Sequence, residues 1–150
     1  LTGHEIQREI SKGRIRIEPF RQDQVSPNSY DLTLGATVWR PIGDVLDCDE
    51  PLQLERIPLP PEGRRFDGQT FLLASTQERI AVTDHVPLIH GRSGTARAGV
   101  FSHVTGDLLP VGFDAHPRLQ LFLVLQFKLK PGMHIGQVSF WTVDRKVDLP

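Results

Sequence analysis

Two arginines, a serine and a threonine fall within nine residues, Gly91-Arg92-Ser93-Gly94-Thr95-Ala96-Arg97-Ala98-Gly99, directly after the apolar run that ends at Ile89. Guanidinium groups are planar, permanently charged and matched to phosphate oxygens, and small residues let backbone N–H groups approach an anion. The segment reads either as an oligophosphate site or as a polar turn whose arginines pair with surface carboxylates. A Walker A loop is excluded, because no lysine follows the glycines.

Further along, Leu119, Leu121, Leu123 and Leu125 alternate, which sends the Gln120 amide to the opposite face with Phe122 and Val124. Gln120 then either pairs inside a subunit contact or faces a ligand, since an enclosed amide needs partners. Pro131-Gly132-Met133-His134-Ile135-Gly136-Gln137 reads as a turn and a strand in which glycine allows a tight bend or close approach. The six histidines, at 4, 85, 90, 103, 116 and 134, lack the close pairing of a zinc ligand set, so packing roles are expected of them. His103, just past the arginine-rich segment, is expected to make a structural hydrogen bond.

The elements that must position these residues are mostly strands. Thr2 caps a helix through Ile10, with Glu5 completing a capping box and Gly13 ending it. Ile15 and Ile17 alternate in a first strand, and Tyr30, Leu32 and Leu34 alternate against Asp31 and Thr33 in a second that stops before Gly35. Further strands are predicted over 37–40, 70–75, 78–81, 86–90, 119–124, 127–129 and 135–143, with one short strand around 52–57 inside the proline-rich excursion 41–65. Twelve prolines and thirteen glycines punctuate the chain, so it is all-β apart from one short N-terminal helix, in a compact barrel or sandwich.

At 150 residues, with 39% apolar types, there is one core and one domain spanning 1–150. The formal charge is −1 with basic and acidic residues intermixed, which argues against a nucleic-acid binding face. Cys48 is the only cysteine, so neither an intrachain disulfide nor a zinc site built on paired cysteines is expected. Without a long apolar span or a signal-peptide core, a soluble cytoplasmic protein is expected.

Taken in order, the opening helix, Gly13-Arg14-Ile15, Ile17-Glu18-Pro19-Phe20, Pro27-Asn28-Ser29-Tyr30-Asp31-Leu32-Thr33-Leu34-Gly35, Phe71-Leu72-Leu73-Ala74-Ser75-Thr76 with Glu78, the Arg92 to Arg97 segment and Pro131-Gly132-Met133 with Ile135-Gly136-Gln137 form one pattern. It resembles the bacterial dCTP deaminase and dUTPase family over nearly the whole chain. The resemblance implies a distorted β-barrel or jelly-roll subunit, a homotrimer with nucleotide sites at its interfaces, a pyrimidine deoxynucleoside triphosphate as ligand, and magnesium accompanying the triphosphate. No zinc is implied; a glutamate activates water within an Arg and Ser framework.

Carried over position by position, Arg92, Ser93, Gly94 and Arg97 match the loop that contacts phosphates, with Ser93 and Arg97 also supporting the water, and Gln137 matches the family's Gly-Gln segment. Three departures stand out. Gly94 replaces a second serine, Gln120 occupies the catalytic glutamate position, and Pro110 stands where the family has an aspartate. An amide can hold water but cannot accept a proton at neutral pH, which removes about 10²- to 10⁴-fold of rate. Asp107 and Asp114 are the nearby carboxylates that could substitute. Family members carry a further segment that closes over the triphosphate; here it is expected to be missing after Pro150, and losing it would weaken positioning. The expectation is a nucleotide-binding trimer with weak or lost deaminase activity; the alternatives are a working dCTP deaminase, with or without dUTP hydrolysis, and a structural or regulatory trimer with vestigial pockets.

Overall fold

The computed structural model describes residues 1–47, 49–103 and 106–144, so the expectations placed on Cys48 and Pro150 lie outside the described residues. Helix α1, Gly3–Ser11, starts with the predicted reciprocal cap: Thr2 Oγ1 accepts from the Glu5 N–H at 3.3 Å, and the Glu5 carboxylate accepts from the Thr2 N–H at 2.8 Å. Ile6 is fully buried beneath it. The helix runs one residue past Ile10, and Gly13 leaves it with φ +71°, a conformation that favours glycine.

The strands are β1 Ile15–Glu18, β2 Tyr30–Pro41, β3 Leu54–Pro58, β4 Arg64–Phe66, β5 Thr70–Thr76, β6 Arg79–Val82, β7 His85–Gly91, β8 Val100–Phe101, β9 Asp114–Ala115, β10 Arg118–Leu123, β11 Phe127–Leu129 and β12 His134–Thr142. The main sheet runs β7-β12-β2-β5-β10-β8, with β3 also pairing β2. A second sheet is β1-β6-β9, and β11 pairs with β4. Every pairing between these strands is antiparallel, and the sheets wrap around one core as a distorted, nearly closed barrel.

The predicted pair of strands on either side of Gly35 is one strand, β2. Its register against β5 shifts between Leu34 and Val38, and a Cβ on Gly35 would lie 2.9 Å from the Ser75 carbonyl oxygen. Glycine therefore lets the strand pass through the irregularity instead of ending it. The alternation in β2 also misleads at Asp31 and Thr33, which it places on an open face: they are 7% and 2% exposed. The main sheet is covered on both sides there.

β10 keeps its predicted alternation, with Leu119, Leu121 and Leu123 at 0% exposure, each contributing about 2 kcal/mol by burial. Leu125 departs from it: the strand stops at Leu123 and Leu125 is 62% exposed. No helix among the described residues is long and apolar enough to cross a membrane.

Candidate functional site

The arginine-rich segment is a single helical turn, α2, Ser93–Arg97, rather than an irregular turn. Arg92 sits at its N-cap, where its carbonyl accepts from the Ala96 N–H and from Thr95 Oγ1, both at 2.9 Å. Ser93, Gly94 and Arg97 are exposed on the turn. Arg92 does pair with a carboxylate, but with a buried one rather than a surface one: its Nε donates to Asp31 Oδ2 at 3.0 Å. The guanidinium leans over the turn, since a Cβ on Gly94 would come within 3.9 Å of Arg92 Nη1.

Strand β12 brings Gln137 to the same place. Its Nε2 donates to the Gly91 carbonyl at 3.2 Å and its Oε1 accepts from Ser29 Oγ at 3.0 Å. Gln137 is also the cross-strand partner of Asp31. His134 lies three residues earlier, a spacing that regular alternation would send to the opposite face. A register shift between His134 and Gly136 undoes this, and His134 Nδ1 reaches Asp31 Oδ2 at 3.1 Å. Arg92, Gln137, Asp31 and His134 thus form one cluster.

Sequence reasoning found Arg92 and Gln137 but missed Asp31 and His134. The available signal was an aspartate within an apolar strand, a buried charge that demands partners. His134 was given the packing role that isolated histidines usually have, because the register shift that re-aims it leaves no mark in the periodicity.

Gln120 lies on a different strand, β10, beside His103, with which it forms a parallel bridge. Its Nε2 is 3.8 Å from where a Cβ on Gly106 would stand, so Gly106 passes close to the amide. The hydrogen bond expected of His103 is not found: both its ring nitrogens are buried and unpartnered among the described residues. Asp107 is exposed, and its carbonyl accepts from the Ile89 N–H at 2.9 Å. Asp114 is placed elsewhere, on β9 in the second sheet, where Arg79 and Arg16 hold it at 2.8 and 3.5 Å. It is committed to that pairing and makes a poor substitute for a carboxylate at position 120. Pro110 is exposed, and its carbonyl accepts from the Phe113 N–H at 3.1 Å.

On the face that carries Gln120, Phe71, Phe122 and Phe101 stand in register across β5, β10 and β8. Phe71 and Phe101 are 41% and 55% exposed. Beside the Gln137 side, a groove of about 410 Å³ is lined by Asn28, Ser29, His90, Gln137, Ser139 and Trp141, among others. Among the described residues no three His, Cys, Asp or Glu side chains gather to hold a metal ion.

A family model described as dCTP deaminase-like matches residues 1–143. The chain belongs to the dCTP deaminase-like family. Among relatives, a "dCTP deaminase, dUMP-forming" from Clostridium botulinum strain Alaska E43 is 34% identical over 149 residues, covering 99% of this chain and 86% of the relative. Among solved structures, the 2'-deoxycytidine 5'-triphosphate deaminase of Agrobacterium tumefaciens superposes with a TM-score of 0.75 at 20% identity, over 93% of this chain and 46% of that one. A dUTPase variant from phage phi11 of S. aureus, whose structure concerns coordination of a structural Mg(II) ion, gives a TM-score of 0.56 at 10% identity, over 91% and 94%. At these identities the two structures speak for the fold alone, a dUTPase-like barrel.

Proposed function

We propose that this protein binds pyrimidine deoxynucleoside triphosphates at the interfaces of a homotrimer and converts dCTP to dUMP, by deamination and hydrolysis of the resulting dUTP. The observation that carries the reading is the extent of the likeness: relatives named for this reaction align over 99% of the chain. Arg92, bonded to Asp31, and Gln137, the cross-strand partner of Asp31 and a donor to the Gly91 carbonyl, are the phosphate-binding positions implied by resemblance, and their convergence supports a phosphate role for that end. Ser93 and Arg97 stand exposed beside them, available to a ligand or to another subunit.

The trimer is supported by the aromatic row on the Gln120 face, an apolar strip of the kind that subunit contacts cover. A neighbouring copy packed there would enclose both halves of the site. Magnesium would arrive on the triphosphate oxygens, because Mg²⁺ keeps its waters and is usually bound through substrate phosphates and not in a dedicated all-protein cage.

For deamination, Gln120 would hold the attacking water and Asp107, next to the glycine that packs on the amide, would take the proton. Such a base must come within hydrogen-bond reach. A second reading, nucleotide binding with deamination weak or lost, is favoured by one observation: Gln120 has no carboxylate. Incubation with dCTP and magnesium, following ammonia, dUTP and dUMP beside calorimetric binding, separates the two. Ammonia release supports the first reading, and binding without ammonia supports the second.

A further inference from the structure

We infer that His134, oriented by the buried Asp31, is the proton acceptor that activates water for cleavage between the α- and β-phosphates of a pyrimidine nucleoside triphosphate. The inference rests on the proposed reading for the presence of the nucleotide and goes beyond it by assigning the hydrolytic base.

A carboxylate only accepts hydrogen bonds, so the contact of 3.1 Å from His134 Nδ1 to Asp31 Oδ2 puts the ring proton on Nδ1. In the neutral ring the lone pair then lies on Nε2. This is the arrangement in which a buried aspartate fixes the tautomer of a catalytic imidazole and stabilises the imidazolium when it forms. Burial fits that division of labour: the Asp31 side chain is 9% exposed and that of His134 is 38% exposed. The aspartate is anchored, and the imidazole is open to a water molecule.

The same Asp31 oxygen accepts from Arg92 Nε at 3.0 Å. Spending Nε on Asp31 leaves both terminal nitrogens of Arg92 for phosphate oxygens, beside the imidazole. Gln137, from the same strand as His134 and opposite Asp31, completes a polar face around the pair. The register shift at His134 is what brings its ring to this face, as irregularities of this kind do near reactive sites. Among the described residues, Asp31 from β2 is the charged group paired with His134, and Arg92 from the entrance to α2 pairs with the same Asp31 oxygen.

The step balances without a redox partner. His134 Nε2 takes a proton from water as the water oxygen bonds to the α-phosphorus. The bond from that phosphorus to the α,β-bridging oxygen breaks, and its electron pair leaves with pyrophosphate. The proton on His134 then passes to solvent, and the product is the nucleoside monophosphate. Arg92 would stabilise the charge gathering on the phosphate oxygens.

The test uses dUTP, so that deamination plays no part. Pyrophosphate release is measured across pH for the unaltered chain and for His134→Asn, whose side-chain amide can donate to Asp31 from near the position of Nδ1 but cannot act as a base. Binding of α,β-imido-dUTP, which resists cleavage, is measured in parallel by calorimetry. The expected result is a kcat lowered by about 10²- to 10⁴-fold in the variant, with the loss of rate toward acid pH abolished, partial rescue by added imidazole, and analogue binding nearly unchanged. A variant that keeps its rate and its acid limb overturns the assignment, as does an unaltered chain that binds the analogue without releasing pyrophosphate from dUTP. An unaltered chain that does not bind the analogue overturns the nucleotide site itself, and the binding arm identifies that failure.

Discussion

Glu78 offers a demanding test of how the scaffold holds the site. Its carboxylate is buried, with the residue 1% exposed, and has no cationic partner among the described residues. Instead, Oε1 accepts from Gln24 Nε2 at 2.9 Å and from Thr33 Oγ1 at 2.6 Å, and Oε2 accepts from the Thr33 N–H at 2.9 Å. Gln24 also donates to the Asp31 carbonyl at 2.7 Å, so the network anchors the stretch of β2 that carries Asp31. Glu78→Ala leaves three buried donors without this acceptor. Each such group costs about 1–3 kcal/mol, but two have fallbacks: Gln24 keeps Asp31, and Thr33 Oγ1 can turn fully to Gln77 Oε1 at 3.2 Å. The Thr33 N–H has none, so the total should be about 4 kcal/mol. Glu78→Gln keeps one accepting oxygen and opposes a donor to a donor at the other, at a cost of about 2 kcal/mol. Urea unfolding followed by tryptophan fluorescence should show midpoints falling in that order, by roughly 2 M for the alanine variant. If both variants unfold within about 0.5 kcal/mol of the unaltered chain, the network does not hold β2.

Tyr30 is the only tyrosine, and burial pushes its hydroxyl up to about 12. Base titration at 295 nm should show a midpoint near that value, and the associated stability, present below the ordinary value of 10.0, should be lost as pH rises through about 12. Glu9 is held down to about 2, chiefly by the Arg14 hydrogen bond and then by Lys12, against burial that acts the other way. Its contribution should be complete above the ordinary value of 4.5 and lost as pH falls through about 2, so acid unfolding of Glu9→Gln should be flatter than that of the unaltered chain. Gly94→Ser should fold without loss, since a Cβ there meets only Arg92 Nη1 at 3.9 Å, and should bind dCTP several-fold more tightly by adding a hydroxyl donor. Asp107→Asn should lower ammonia release from dCTP by about 10²- to 10⁴-fold, because Asp107 takes the proton in this account; an unchanged rate would show that Asp107 is not the base.

Much of the architecture was legible because it depends on local signals. The Thr2 and Glu5 cap, the leucine alternation of β10 and the turn before β12 each follow from short-range stereochemistry. What escaped the sequence depends on long-range pairing. β2 continues through Gly35 because Ser75 approaches from another strand. β4, β8 and β9 are two or three residues long and exist only through their partners. The site divides the same way. The residue types around Arg92 and Gln137 point to anions, but the convergence of Arg92 and His134 on Asp31 needs β12 beside β2 and a shifted register. The separation of Asp114 from Gln120 likewise follows from β9 joining the second sheet, which no spacing along the chain discloses.

The most direct test of the account is turnover of dCTP by the unaltered protein with magnesium, with ammonia, dUMP and bound nucleotide measured together. The account predicts ammonia and dUMP appearing in equal amounts as dCTP is consumed. Unchanged dCTP and no bound nucleotide would contradict it.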